Sequence, residues 1–189
     1  GFVPESLAPE GIEEAEVTFP SGSLKLAGSV VKPRGVKPCP AVVLLSDTGP
    51  QDRQGNLAKG KGGAEEFAWT GADASLQRSI AQALAGSGVL VLRYDDRGCG
   101  ASEGEFDKAR FKDLVADAAA AVAYLRGRDD VGPIGLVGHG EGALSACLVA
   151  AKDGAIKSVV LLAPPATTLD EAALARSERL LREQGTKEE

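Results

Sequence analysis

Four short apolar runs constrain the fold of this chain more than any other feature of its sequence. They are Ala41–Leu45, Val89–Leu92, Ile134–Val137 and Val159–Leu162. None of them alternates charged with apolar residues, so a strand formed from any one of them would be buried on both faces. Such strands are typical of a parallel sheet with helices packed on both sides.

Amphipathic segments separate these runs and predict the helices. Two stripes of apolar residues have helical spacing: Leu76, Ile80, Ala83 and Leu84, and then Phe111, Leu114, Val115, Ala118, Val122 and Leu125. Upstream, Glu14–Phe19 and Leu24–Val31 alternate polar with apolar residues around a glycine-containing turn, which predicts an antiparallel β-hairpin. The predicted class is therefore α/β: a mostly parallel central sheet with helices on both faces, entered by an N-terminal hairpin.

The length predicts one domain. A chain of 189 residues buries about 70% of its surface on folding, which is enough for a core of its own. We therefore expect a single domain over 1–189. Within it, the glycine-rich stretch 48–74 is predicted to form a long loop, and 169–185 is predicted to form a terminal helix.

Charge and composition exclude several classes of protein. The formal net charge is −6, whereas nucleic-acid binding requires clustered lysine and arginine. No run reaches the roughly 20 apolar residues of a membrane span, and the first residues lack the basic and apolar regions of a signal peptide. We expect no nucleic-acid or membrane partner, and a soluble protein that is cytoplasmic or exported after removal of an N-terminal signal.

The three cysteines give no sign of a metal site. Cys39, Cys99 and Cys147 form neither a CxxC pair nor a cluster with histidine. We therefore expect no bound metal, and we expect no cofactor.

The turn after the third apolar run has two chemical interpretations. Residues 137–143 read VGHGEGA, which matches the G-x-S-x-G frame of a hydrolase nucleophile turn, with Gly140 in place of the serine. The same residues match G-x-G-x-x-A, the dinucleotide-binding fingerprint. That fingerprint also needs an acidic residue at the end of the next strand, which here ends in Leu161–Pro165. Dinucleotide binding is thus less favoured, and a plain glycine-rich turn stays open.

Charged and glycine-rich segments follow the other apolar runs. Arg93–Gly104 comes after the second run, and a shorter polar segment follows the first. Because the carboxyl ends of parallel strands lie along one edge of the sheet, both segments are expected near the glycine turn. We expect Asp95 and Asp96 to pair with the flanking Arg93 and Arg97 and to fix the loop.

Together, three segments resemble the α/β-hydrolase superfamily, and more closely its bacterial esterases and its dienelactone-hydrolase-like and prolyl-oligopeptidase-like members. Thr48–Arg53 (TGPQDR) is similar to the segment after that family's third strand, and Tyr94–Gly104 to the segment after its fourth strand. Gly138–Ala143 is similar to its nucleophile elbow. Because the order also agrees, the resemblance covers nearly the whole chain and implies an α/β-hydrolase-like fold.

The resemblance implies a role for each residue of the turn. Gly140 takes the nucleophile position, which is therefore vacant, and Gly138, His139 and Gly142 form the elbow frame. In the family, the acid and the histidine of the triad follow the seventh and eighth strands. We count six strands and expect the last ones to be absent. His139, the one histidine of the sequence, lies inside the elbow, where it cannot serve as base for its neighbour.

The resemblance also assigns the residues around the turn. The backbone N–H groups of Thr48 and Glu141 would form the oxyanion hole. Asp95 and Arg97 would support the loops of the site.

These expectations lead to one main hypothesis. The chain is related to serine hydrolases of carboxylic esters, with a small ester or amide as substrate of the complete enzyme, but is itself inactive or severely impaired. It could be part of an enzyme whose serine is replaced, a natural pseudoenzyme that binds or scaffolds, or half of a split hydrolase. A sheet that stops at a sixth strand has an open edge, so residues 156–163 are expected to pair with another copy or a C-terminal partner segment.

Overall fold

The computed structural model describes residues 11–57 and 75–166 of the chain. The strands are β1 Ile12–Ser21, β2 Leu24–Pro33, β3 Cys39–Leu45, β4 Leu90–Tyr94, β5 Val131–His139 and β6 Ser158–Leu162. The α-helices are α1 Leu76–Gly86, α2 Phe111–Arg126 and α3 Glu141–Lys152, and a short 3-10 helix covers Phe106–Lys108. Of the predicted loop 48–74, residues 58–74 lie outside the described residues, as does the predicted helix 169–185.

The six strands of the described residues form one sheet in the order β1-β2-β4-β3-β5-β6. The β1–β2 hairpin is antiparallel, and β2 also runs antiparallel to β4. The β4–β3, β3–β5 and β5–β6 pairs are parallel. The predicted α/β class, the mostly parallel sheet and the N-terminal hairpin are therefore confirmed.

Helices cover both faces of the sheet, as the two-sided apolar runs predict. On one face, Val43 and Leu92 join a core cluster with α2 and α3 residues such as Val122 and Val149. On the other face, Leu44 packs in a second cluster with residues of α1. Neighbouring strand residues thus point to opposite cores, which is why these runs contain no charged residue.

The predicted apolar stripe of α1 is only half correct: Ile80 and Leu84 are partly buried and pack against the second core cluster, but the other two members of the stripe are exposed. The helix buries Gln77, Ala81 and Ala85, whereas Leu76 is 45% exposed. Small alanine side chains let the helix backbone approach the sheet closely, so packing and not side-chain hydrophobicity determines the buried face. Ala83, which the spacing predicts to be inside, is exposed.

Strand β6 departs from the prediction that its apolar run is buried on both faces. Among the described residues it pairs only with β5. Its side chains are exposed on both faces, with Val160 at 46% and Leu161 at 43%. An apolar strand in this state is an edge that can accept a further strand.

None of the described helices is both long and apolar enough to cross a lipid bilayer.

Candidate active site

A single residue connects strand β5 to helix α3. The strand ends at His139 and the helix begins at Glu141, so the whole reversal falls on Gly140, with φ +51° and ψ −118°. This conformation lies outside the regions that residues with a side chain ordinarily occupy. The backbone N–H of Gly140 donates to the carbonyl of Leu162 (2.9 Å), which ties the turn to β6.

The two flanking glycines allow three backbones to meet. A Cβ on Gly138 would overlap the carbonyl group of Gly142 and the Cα of Ala143. A Cβ on Gly142 would overlap backbone carbonyls of Leu45 and Ser46 at the end of β3. The elbow is thus packed directly against both strands, and its frame has no space for side chains at 138 or 142.

Two backbone N–H groups converge on one oxygen beside the elbow. The N–H of Thr48 and that of Glu141 both donate to Asp47 Oδ1, at donor–acceptor distances of 2.7 and 3.2 Å. These are the two groups that the family resemblance assigns to an oxyanion hole. Two donors aimed at one point are the arrangement that stabilises an oxyanion.

Asp47 is the residue that sequence reasoning missed. A Cβ built on Gly140 would overlap its Oδ1 and Cγ atoms, so the carboxylate lies where the nucleophile side chain would begin. The nearer His139 ring nitrogen, Nδ1, is 3.9 Å from Asp47 Oδ2. The only sequence signal was an acidic residue two positions after a buried strand, which by itself indicates a turn.

A pocket opens beside these groups. Its polar lining includes Ser46, Asp47, Asp96, Glu141 and Ser145. Burial raises the pKa of Glu141, and the negative charge of Asp47 raises it further. A hydrogen bond with Thr48 acts in the opposite direction and only partly offsets the rise. The pocket is therefore acidic on the side where the two amides converge.

Asp96 anchors the loop after β3 from within the core. It is 6% exposed, and its carboxylate accepts hydrogen bonds from Ser46 Oγ (2.9 Å) and from the backbone N–H of Gln51 (3.0 Å). Burial raises the pKa of Asp96 to about 7, although these two hydrogen bonds oppose the shift.

Asp95 holds the same loop through a buried ion pair with Arg53. It is 2% exposed and accepts from Arg53 Nε (3.0 Å), Arg53 Nη2 (2.8 Å) and the N–H of Ala101 (2.9 Å). Burial opposes ionisation of Asp95, but hydrogen bonds from Arg53 and Ala101 outweigh it and hold the pKa below its ordinary value.

The predicted pairing of these aspartates with Arg93 and Arg97 is wrong. Arg93 donates to Glu14, and Arg97 donates from Nε to Asp117 of α2 (2.7 Å). Arg93 lies within β4, whereas Asp95 follows the last residue of the strand, so the regular alternation of side chains no longer determines which way Asp95 points. Arg97 ties its loop to α2, while Asp95 ties the same loop to the segment after β3.

Within residues 11–57 and 75–166, no group of three or more His, Cys, Asp or Glu side chains is arranged to hold a metal ion.

Comparison with known families identifies the fold. The family described as "Serine aminopeptidase, S33" matches residues 71–183 of the chain. The chain belongs to this family of α/β-hydrolases. The matched range includes the glycine turn, so it favours the hydrolase interpretation of 138–143 over the dinucleotide interpretation.

Individual α/β-hydrolase relatives agree. Esterase EstD of Thermotoga maritima is 31% identical over 169 residues, which are 89% of this chain and 36% of EstD. The α/β-hydrolase GrgF of Penicillium sp. superposes with a TM-score of 0.63 at 23% identity, covering 92% of this chain and 56% of GrgF. Dienelactone hydrolase of Anabaena variabilis gives 0.58 at 18% identity, covering 82% of this chain and 65% of that structure. The chain thus spans about a third of EstD and somewhat more than half of these structures.

The raised pKa of Asp96 predicts a pH dependence of stability. Between about pH 4 and pH 7 the unfolded chain loses this proton while the folded chain retains it, so the free energy of unfolding falls as pH rises. Asp96→Asn removes this contribution, and the difference in free energy of unfolding between the two proteins should change by up to about 4 kcal/mol across that range. Urea titrations at several pH values measure it.

Exposed Asp129 provides the control for this experiment. Asp129→Asn should leave the pH dependence as it is. The free energies of unfolding of the parent and of Asp96→Asn could also differ by the same amount from pH 4 to pH 7. That result would contradict a near-neutral pKa for Asp96.

Proposed function

We propose that this chain carries the nucleophile elbow and oxyanion-hole part of an esterase-like α/β-hydrolase, and that its elbow cannot form an acyl-enzyme. The observation that carries the proposal is the backbone at Gly140, which has the reversed conformation of the elbow beside two converging N–H groups but offers no attacking atom. In this proposal a small carboxylic ester or amide is the substrate of the complete enzyme.

The chemistry of acyl transfer explains the expected lack of activity. The reaction needs a nucleophilic oxygen, a base that takes its proton and donors that stabilise the oxyanion. Of these, the described residues supply donors, at Thr48 and Glu141. His139 adjoins position 140 along the chain, and its Nδ1 faces Asp47. A natural pseudoenzyme or half of a split hydrolase would share this arrangement.

Hydrolysis of p-nitrophenyl acetate tests the proposal. We expect the chain to hydrolyse this ester at a rate within about tenfold of the heat-unfolded chain, and its Gly140→Ser variant to stay several orders of magnitude below a hydrolase with a complete triad, because a serine without a base gains little. Intact-mass spectrometry should find no acetyl adduct on the turn peptide. Saturable turnover by the unmodified chain that disappears on unfolding would show that position 140 is not where the chemistry occurs.

We further propose that β6 pairs with an additional strand of the same hydrolase fold. The argument is its apolar edge, which pairs with no further strand among residues 11–57 and 75–166, together with the greater length of the relatives that the chain matches. A second copy of the chain would compete for this edge.

Sedimentation velocity measures how strongly the edge associates. Val160→Lys should reduce self-association of the isolated chain, since a lysine on an edge strand disfavours pairing. Val36→Lys, at a similarly exposed apolar position far from β6 in sequence, should not. A monomer at all concentrations, whose β6 amides exchange as slowly as those of β3, would contradict an open edge.

A further inference from the structure

The carboxylate of Asp47 is held by two separate segments of the chain. One of its donors is the adjacent Thr48 N–H, and the other is the N–H of Glu141, which lies 94 positions away along the chain. Glu141 is the first residue of α3, and an N–H at a helix N-terminus favours a negatively charged acceptor. Hydrogen bonds to a charged acceptor are stronger than those to a neutral one.

The same carboxylate fills the space in front of Gly140. A side chain at position 140 would overlap Asp47 Oδ1 and Cγ. These atoms are the end of a short flexible side chain that is 35% exposed, so they can rotate away. Doing so breaks both hydrogen bonds from the amides. Asp47 in this rotamer and any side chain at 140 therefore exclude each other.

We propose that the Asp47 carboxylate is an internal ligand of the two amides. It lies where the substrate oxygen would bind and also fills the space of the missing nucleophile, so a side chain of the protein itself occupies the elbow. This inference rests on the proposed function in taking 140 as the nucleophile position and the two amides as the oxyanion hole. An external carboxylate has the same chemistry as the Asp47 side chain. The amides of Thr48 and Glu141 should accept one only when Asp47 has left.

The surroundings of Asp47 make the occupation reversible. Glu141 lies close enough for the two negative charges to repel, which is one cause of the raised pKa of Glu141. Asp96 lines the same pocket. Among the described residues, the carboxylate accepts the two amide hydrogen bonds and a longer one from Thr48 Oγ1 (3.3 Å). His139 Nδ1 lies 3.9 Å from its Oδ2, which is beyond hydrogen-bond distance. A carboxylate held by two amides and opposed by neighbouring acids is displaced more easily than one in an ion pair.

Amide NMR of the Asp47→Ala variant tests the occupation directly. The Thr48 and Glu141 amide protons should move upfield when their acceptor is removed, and sodium acetate should reverse the shifts with saturation. Acetamide, the neutral analogue, should not reverse them. Acetate should leave both amides unmoved in the parent chain and in the control Asp129→Ala. Unchanged Thr48 and Glu141 shifts in Asp47→Ala, or shifts that acetamide reverses equally, would overturn the proposal.

A double-mutant cycle tests the mutual exclusion. Asp47→Ala should reduce the folding equilibrium constant at least about fivefold in the Gly140 chain, but less than twofold when combined with Gly140→Ser, which has already displaced the carboxylate. Equal losses in the two backgrounds would overturn the proposal. If Gly140→Ser does not fold, the Asp47→Asn variant is measured by amide NMR instead of the cycle. The amide protons of Thr48 and Glu141 in that variant must shift upfield. Ester turnover at a site other than 140 would contradict the proposed function without changing these amide shifts.

Discussion

The Gly138→Ala variant is expected to lose about 3 kcal/mol of unfolding free energy, because overpacking against backbone costs this much when the neighbours cannot move. The added methyl group would overlap the carbonyl of Gly142 and the Cα of Ala143 in the first turn of α3. These backbone atoms can give way only if the whole helix shifts from β5. Chemical denaturation followed by circular dichroism measures the loss.

Gly154 provides a matched glycine for this comparison. A Cβ there would meet no atom within 4 Å, so Gly154→Ala should change the free energy of unfolding by less than about 1 kcal/mol. A Gly138→Ala protein as stable as Gly154→Ala would mean that α3 does not pack against β5 as closely as described here.

Asp95→Ala is expected to destabilise the protein by about 3–5 kcal/mol, because it leaves the buried Arg53 guanidinium without its principal partner. Arg53 is 7% exposed and Asp95 is 2% exposed, and the carboxylate also accepts from the backbone N–H groups of Arg53 and Ala101. The loops after β3 and β4 should lose their attachment together. Thermal and urea unfolding measure the effect.

The ion pair between Arg126 and Asp153 is the exposed counterpart. Its donor–acceptor distance is 2.6 Å, and half of the Arg126 side chain is exposed. Asp153→Ala should destabilise the protein much less than Asp95→Ala, because solvent screens the pair. Equal losses in Asp95→Ala and Asp153→Ala would contradict the structural role of the buried pair.

The loss in Asp95→Ala should also depend on pH. The pKa of Asp95 lies below its ordinary value in the folded chain. The contribution of its ionised form is therefore present above the pKa of the unfolded state and is lost as pH falls through the folded value. The difference in stability between the parent and Asp95→Ala should accordingly shrink in acid. This is opposite in sign to the effect of Asp96, the next residue along the chain.

Much of the fold could be predicted because it depends on local patterns. A run such as Ala41–Leu45 contains no charged residue and must be buried on both faces wherever it lies. The alternation around the hairpin turn similarly predicts antiparallel pairing. The face of α1 was predicted only in part: Ile80 and Leu84 of the apolar stripe pack partly against the core, but the fully buried positions are Gln77, Ala81 and Ala85, which form no strong apolar pattern.

The hydrogen-bond and ion-pair partners of the side chains in the candidate site were less predictable than the position of the site. The family resemblance implied that the N–H groups of Thr48 and Glu141 would meet at the carboxyl edge of the sheet. The partners of Asp95 and Arg97 were wrong because proximity along a loop does not determine which way a side chain points. Arg53 and Asp117 are separated from them by 42 and 20 positions. The first pair meets because β3 and β4 are neighbours in the sheet, and the second because the loop after β4 packs against α2.

The sequence by itself determined the α/β layout and the vacancy at position 140, since the absence of a side chain there is a property of glycine and needs no coordinates. Only the tertiary structure decided what occupies the vacancy. Asp47 reaches the elbow because β3 and β5 are neighbours in the sheet, so their carboxyl ends bring a carboxylate and the N-terminus of α3 within hydrogen-bonding distance. That contact depends on strand order and one side-chain rotamer, and neither is encoded in a local pattern.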